Sequence, residues 1–218
     1  MKDSTEIYWK KRVATCQRAL EKNNFDVYRA ENPLEANQII LNDILPKIPV
    51  KSVSWGDSMT LYATDVLERL KQSPDIRVIE PFAADLTREQ SIPRRRQALL
   101  VDLFFTGSNA VTESGKLVNL DMIGNRVAGI IFGPRYVVIT VGCNKIVTNL
   151  EAAMYRVKHV AAPLNAIRHT DFNTPCRKTG QCMDCKSPDR ICNAWSITEK
   201  SYPKGRIKVI LINQDLGL

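Results

Sequence analysis

The stretch VDLFFTGSNAVTESGKLVNLDMIGNRVAGIIFGPRYVVITVG, residues 101–142, decides how this chain folds. YVVITVG is apolar at consecutive positions and too short for a helix of ordinary length, which reads as a strand covered on both faces. DLFFTG and KLVNLD read as two further strands around the loop SNAVTESG, and NRVAGIIFG reads as a helix. Helical and strand-like pieces alternate in this way up to residue 168, the pattern of an α/β domain with a mostly parallel sheet flanked by helices.

Working towards the N-terminus, REQSIPRRRQALLVD is expected to be helical, with Pro93 beginning or kinking the helix, because proline has no amide hydrogen and its ring crowds the preceding turn. IRVIE is a strand. VKSVSWGDSMTLYATDVLERLK is a strand that turns through Gly56 into a helix capped by Asp57 or Ser58, with Met59, Ala63, Val66 and Leu70 inward. Asn32, Pro33 and Glu35 read as N-cap, first helical residue and capping-box acid of a helix with Leu34, Leu41 and Leu45 on one face, ended by Pro46. Trp9, Val13, Cys16 and Leu20 recur at helical spacing, which makes Cys16 a small core residue. On the other side Asn149 caps LEAAMYRVKHV. After His169 the period is lost until GRIKVILINQDL restores a strand. The expected division is an α/β body over 1–168, a Cys-rich excursion over 169–200, and a strand within 201–218 that returns to the body.

With 44% apolar and 25% charged residues in 218, the composition is that of an ordinary globular protein. No apolar run approaches the roughly 20 residues of a membrane helix, so no membrane span is expected. The opening MKDSTEIYWKK is polar where an export signal is apolar, which makes the cytoplasm the default location. A formal charge of +8 suits an acidic partner, and the densest basic run is Arg94 to Arg96. The basic residues are otherwise spread along the chain without interleaved aromatics, so nucleic acid is disfavoured and a small anionic metabolite is preferred. Self-association is left open.

TPCRKTGQCMDCKSPDRICNAW, residues 174–195, carries Cys176, Cys182, Cys185 and Cys192 in a C-x5-C-x2-C-x6-C spacing. Disulfides are unusual in a chain without an export signal, and the surrounding Pro, Gly, Lys and Asp make a poor apolar core. Thiolate–metal bonds would order a loop that has too few apolar contacts to order itself. Only Cys182 and Cys185 form the C-x2-C pair of a zinc ribbon, and iron–sulfur clusters also take four thiolates, so the spacing leaves zinc and iron–sulfur open. Arg177, Lys178, Lys186 and Arg190 would offset the negative charge of either centre.

The turns after the strands supply the other candidates. Gly107, Ser108 and Asn109 follow a strand end and leave backbone amides for a ligand at the carboxyl edge of the sheet. Glu113, Asn119, Asp121 and Asn125 continue the polar series. Gly56 and Ser58 sit at a strand-to-helix junction suited to phosphate or carboxylate, and Lys145 stands just beyond a buried strand where it would meet the same anion. None of these loops has a Walker or dinucleotide pattern, so no nucleotide cofactor is indicated.

DLFFTGSNAVTESGKLVNLDMIGNRVAGIIFGPRYVVITVGCNKIV, APLNAIRH, the cysteine segment and RIKVILINQDLGL together resemble the lactate-utilisation (LUD, DUF162) family, including its LutC-type members. The resemblance covers most of the chain from Trp55 onward and is weaker in the first fifty residues. It implies a fold like that of the NagB, ribose-phosphate isomerase and CoA-transferase group, with ligands at the carboxyl edge. It further implies a role in oxidising lactate or a related organic acid beside iron–sulfur partner proteins, which shifts the metal towards a [4Fe–4S] cluster used for electron transfer. Cys143 stands where the family pattern has Arg, so no anion-binding role is carried onto it. Two other functions remain. One is an isomerase or acyl/CoA-type transferase with Glu113 as base or nucleophile and a structural zinc; the other is a non-enzymatic, metal-stapled interaction module.

Overall fold

A computed structural model describes residues 4–218. In chain order the elements are α1 (Ser4–Lys22), β1 (Asp26–Ala30), α2 (Pro33–Gln38), β2 (Ser52–Trp55), α3 (Met59–Tyr62), α4 (Val66–Lys71), β3 (Arg77–Val78) and α5 (Arg88–Gln97). There follow β4 (Leu103–Gly107), β5 (Ala110–Thr112), β6 (Leu117–Asp121), α6 (Asn125–Ile131), β7 (Tyr136–Gly142), β8 (Ile146–Val147), α7 (Leu150–Arg156), α8 (Ala162–Arg168), α9 (Pro175–Thr179), β9 (Ala194–Thr198) and β10 (Ile207–Ile212).

Six strands form one sheet in the order β1-β10-β7-β4-β2-β3, and every neighbouring pair is parallel. The consecutive apolar positions are explained by this arrangement, because each strand feeds both faces. Phe104 of β4 joins Val13, Cys16 and Leu20 of α1 and Ile130 of α6 in one buried cluster, while Leu103 and Phe105 join Ile40, Leu61, Val66 and Leu70 on the opposite face. Cys16 is fully buried and donates to the Thr112 carbonyl at 3.6 Å, a core residue as its spacing indicates.

A second, four-stranded sheet runs β8-β5-β6-β9, with β6 antiparallel to both β5 and β9. Its inner face buries Ala110, Val118 and Leu120 against Ala153 and Val157. β9 lies inside the stretch read as a Cys-rich excursion, and its pairing with β6 anchors the C-terminal end of that stretch.

Several local readings need correction. Pro93 lies inside α5 rather than at its start. Glu89, whose carbonyl would have received the missing hydrogen bond, and Pro93 itself are exposed residues, and a Thr87–Gln90 capping box secures the first turn. Glu35 accepts from the Glu31 amide, one residue before the expected one, while the Asn32 side chain caps the Glu35 amide at 2.9 Å. Leu34 is 68% exposed; the buried face of that segment is Ala36, Ile40 and Ile44, because α2 widens into a π turn over residues 39–44 that rotates the stripe. Pro46 sits within a closing 3-10 turn over Leu45–Lys47. The helix after Gly56 is broken at Asp65, whose φ of 54° is left-handed, so α3 and α4 bury Leu61, Val66, Leu67 and Leu70 and leave Met59 and Ala63 out of the core.

Close approach of α6 to the sheet depends on Gly129. A Cβ there would fall 2.7 Å from Phe104 Cε1. On an open helix Gly→Ala gains about 1 kcal/mol. Gly129→Ala is expected to reverse that sign, destabilising the protein in urea unfolding because the ring it meets is fully packed.

Candidate functional site

Because the large sheet is parallel throughout, its carboxyl ends share one edge, and the turns after β2, β4 and β7 meet there in a cavity of about 450 Å³. Ser58, Gly107, Ser108, Asn109, Asn125 and Lys145 line it, with Asp57, Arg95, Asp121, Arg126, Arg168, His169 and Ile191. Ser58 is the N-cap of α3, its Oγ accepting from the Leu61 amide at 3.2 Å. Gly107 lets this hydroxyl come close, since a Cβ on it would lie 2.4 Å from Ser58 Oγ.

Two candidates stand behind the cavity wall and one stands apart. Gly56 makes room for Arg126, whose Cγ would be 2.8 Å from a Cβ at that position. Asn119 is fully buried, and its Oδ1 accepts from the Asn109 amide at 3.1 Å and from Arg126 Nη1 at 3.0 Å. Glu113 does not line the cavity; its carboxylate pairs with Arg12 of α1 at 2.9 Å. A base or nucleophile at Glu113 would therefore act at a different place from the anion-binding turns.

The residue that organises the site is Arg126, which the sequence reading passed over. Its guanidinium donates to Asp121 (Nε to Oδ1, 2.9 Å), to the Gly107 and Leu120 carbonyls at 3.3 and 3.2 Å, and to Asn119 Oδ1 and Asn109 Oδ1 at 3.0 and 2.6 Å. Asp121 Oδ2 meanwhile accepts the Arg126 and Val127 amides at the start of α6. One buried ion pair thus ties β4, β6, α6 and the turn before β5 together around the cavity. The available signal was the five-residue interval from Asp121 to Arg126 across a Gly turn at the end of a strand.

Charge in the cavity is unevenly spent. Arg126 pairs with Asp121, and Arg168 pairs with Asp57, which also lies 3.8 Å from His169 Nε2. Lys145 and Arg95 have no ion-pair partner among the described residues, and the remaining side-chain carboxylate of the lining, Asp171, is exposed. Lys145 is 4% exposed and donates to Thr60 Oγ1 at 2.8 Å. Burial, followed by the charges of Arg156 and Arg126, pushes its ammonium down to about 7. Arg95 stacks on Phe82 at 5.0 Å, and its buried Nε has no hydrogen-bond partner. Burial also lowers His169, with Arg168 reinforcing the shift.

The four cysteines of the late segment line a second, small hollow of about 10 Å³. All four are free thiols and partly buried. Thr174, Lys158, Arg190 and Ile191 complete the wall. Arg190 holds the loop by donating to the Cys185 carbonyl at 2.7 Å and the Cys192 carbonyl at 3.0 Å. Burial raises the Cys192 thiol, opposed by Lys158 and Arg190. No group of three or more His, Cys, Asp or Glu that could hold a metal ion occurs among the described residues. Ile191 lines both the hollow and the large cavity.

Two outcomes are expected from these contacts. Arg126→Met leaves Asp121 buried without its counter-charge and should cost about 3–5 kcal/mol in denaturant unfolding. Lys145 is held below its ordinary value, so the unfolded chain binds its proton more tightly and stability rises with pH between about 7 and 10.5. Unfolding of the parent and of Lys145→Met at pH 6 and pH 9.5 should show the parent weaker relative to the variant at pH 6, with the gap narrowing at pH 9.5.

Among the described residues no helix is long and apolar enough to cross a membrane. No curated protein matches the chain. A DUF162 family protein from Deinococcus radiodurans, solved at 1.70 Å, is similar in fold at 10% identity and a TM-score of 0.51, over 94% of this chain and 98% of that one. A model of the LUD domain matches residues 13–212.

Proposed function

Since this chain belongs to the LUD domain family, a membership that supports a role associated with lactate utilisation, we propose that it binds lactate or a related small organic acid at the carboxyl edge of its large sheet. In the same reading Cys176, Cys182, Cys185 and Cys192 hold a [4Fe–4S] cluster that exchanges electrons with an iron–sulfur partner protein. The observation that carries both halves is Ile191, a single side chain that lines the cavity and the thiol hollow together.

What supports this reading is the chemistry of the donor set. Four thiols share one hollow with no carboxylate in its lining, and Lys158 and Arg190 line it too, both paired with Asp184 outside the lining. When bound, a cluster would supply one-electron chemistry. The protein's own residues do the rest. Arg95 and Lys145, neither spent on a carboxylate, attract the acid's negative charge, and Arg126 with Asp121 keeps the Gly107–Asn109 turn rigid beneath it. The apolar Phe82, Leu120, Met122 and Ile191 side chains of the lining limit the water around those charges.

Protein purified without oxygen should be brown, with about four irons and four sulfides per chain. Cys182→Ser and Cys185→Ser should lose that absorption while the α/β body keeps its unfolding transition. Arg95→Gln should weaken lactate binding about tenfold by calorimetry. A colourless protein with one tightly held zinc would overturn the cluster. Undiminished binding in the Arg95 variant would overturn the assigned anion contact.

A further inference from the structure

The large cavity combines a buried amine with an unpaired guanidinium, and the amine is placed for more than charge. Lys145 follows the end of β7, the third strand in the order of the large sheet, and its Nζ touches the Thr60 hydroxyl at 2.8 Å rather than a carboxylate. The chain returns over it at Gly217, where a Cβ would come within 3.0 Å of Nζ and 2.5 Å of Thr60 Oγ1. Arg126, held by Asp121, and Arg156, which donates to the Asn109 carbonyl at 2.7 Å, place two fixed positive charges in its surroundings. Desolvation combined with neighbouring cations is the setting in which a lysine is uncharged near neutrality and nucleophilic towards carbonyl carbon.

We infer that Lys145 captures a 2-oxo acid such as pyruvate as an imine within this cavity. This inference rests on the reading of the cavity as an organic-acid site and names the oxidised, carbonyl-bearing class as its covalent ligand. The neutral Nζ attacks C2 of the acid, a C–N bond forms, and the C2–O bond breaks. The carbonyl oxygen leaves as water with the two protons of the amine, and no electrons are exchanged with another group. Thr60 Oγ, within hydrogen-bond distance of Nζ, serves as the relay for those protons. A cavity of about 450 Å³ holds a three- to five-carbon acid with room for the departing water. A 2-hydroxy acid such as lactate has no carbonyl and would occupy the same place without forming the bond.

The test treats the full chain with pyruvate and cyanoborohydride near pH 7, then maps modified peptides by mass. The expected result is one reduced adduct, on Lys145, formed faster than on any other lysine. Excess lactate should suppress it. Lys145→Met should abolish the adduct while retaining a single unfolding transition. Mapping of the unaltered chain decides the matter even where a variant folds poorly. No adduct at Lys145, or adducts spread evenly over surface lysines, would overturn the inference. If lactate and pyruvate still bind by calorimetry in that case, only the covalent step falls; if neither acid binds, the organic-acid reading falls with it.

Discussion

The buried Asp121–Arg126 pair is the contact on which the site depends. Both residues lie at or below a tenth exposure, where an unpaired charge is costly, so the fold must supply every partner the two groups need. It does so through the Gly107 and Leu120 carbonyls, the Asn109 and Asn119 side-chain oxygens, and the first amides of α6. These groups come from strands of both sheets. The pair therefore joins the small sheet to the carboxyl edge of the large one and fixes the turn that floors the cavity.

With that joint in place, the electrostatics of the cavity follow from subtraction. Asp121 is satisfied by Arg126 and Asp57 by Arg168, which leaves Lys145 and Arg95 as positive groups without carboxylate partners. A fixed, water-poor surplus of positive charge is what a small organic acid needs, and it is stronger in a buried site than the same charges would be on the surface. The same burial that makes the surplus effective lowers Lys145 towards neutrality, so recognition of an anion and reactivity towards a carbonyl have one physical cause.

The cysteine loop is built on a different principle. It carries few large apolar side chains, and among its residues Ile191 and Thr174 are the ones that are buried near the thiols. Backbone hydrogen bonds from Arg190 and the pairing of β9 with β6 hold its C-terminal end, and α9 packs against α8 at the other. Its position, sharing Ile191 with the cavity, would put a redox centre one side chain from a bound acid. That adjacency is a property of the packing and is absent from the linear order, where the cavity turns and the thiols are separated by tens of residues.

What could be read in the chain itself was governed by local chemistry. Runs such as YVVITVG gave a parallel sheet because strands covered on both faces have no polar alternation, and Asn149 was legible as a cap, and Ser58 as one of two candidates, because capping is settled within four residues. The four cysteines were legible as a set from spacing alone, and the Gly107–Asn109 turn as lying at the carboxyl edge from the strand before it. Other features required the fold. Pro93 is tolerated inside α5 because that face meets solvent, and the stripe of α2 turns because a π turn follows it, neither of which composition reveals. Arg126 looked like one basic residue among many, Glu113 looked as well placed as Lys145, and Arg95 was one member of a basic run. Which of them faces a ligand depends on the other charges brought within a few ångströms, and that is set by long-range packing of strands whose sequence separation carries no such information.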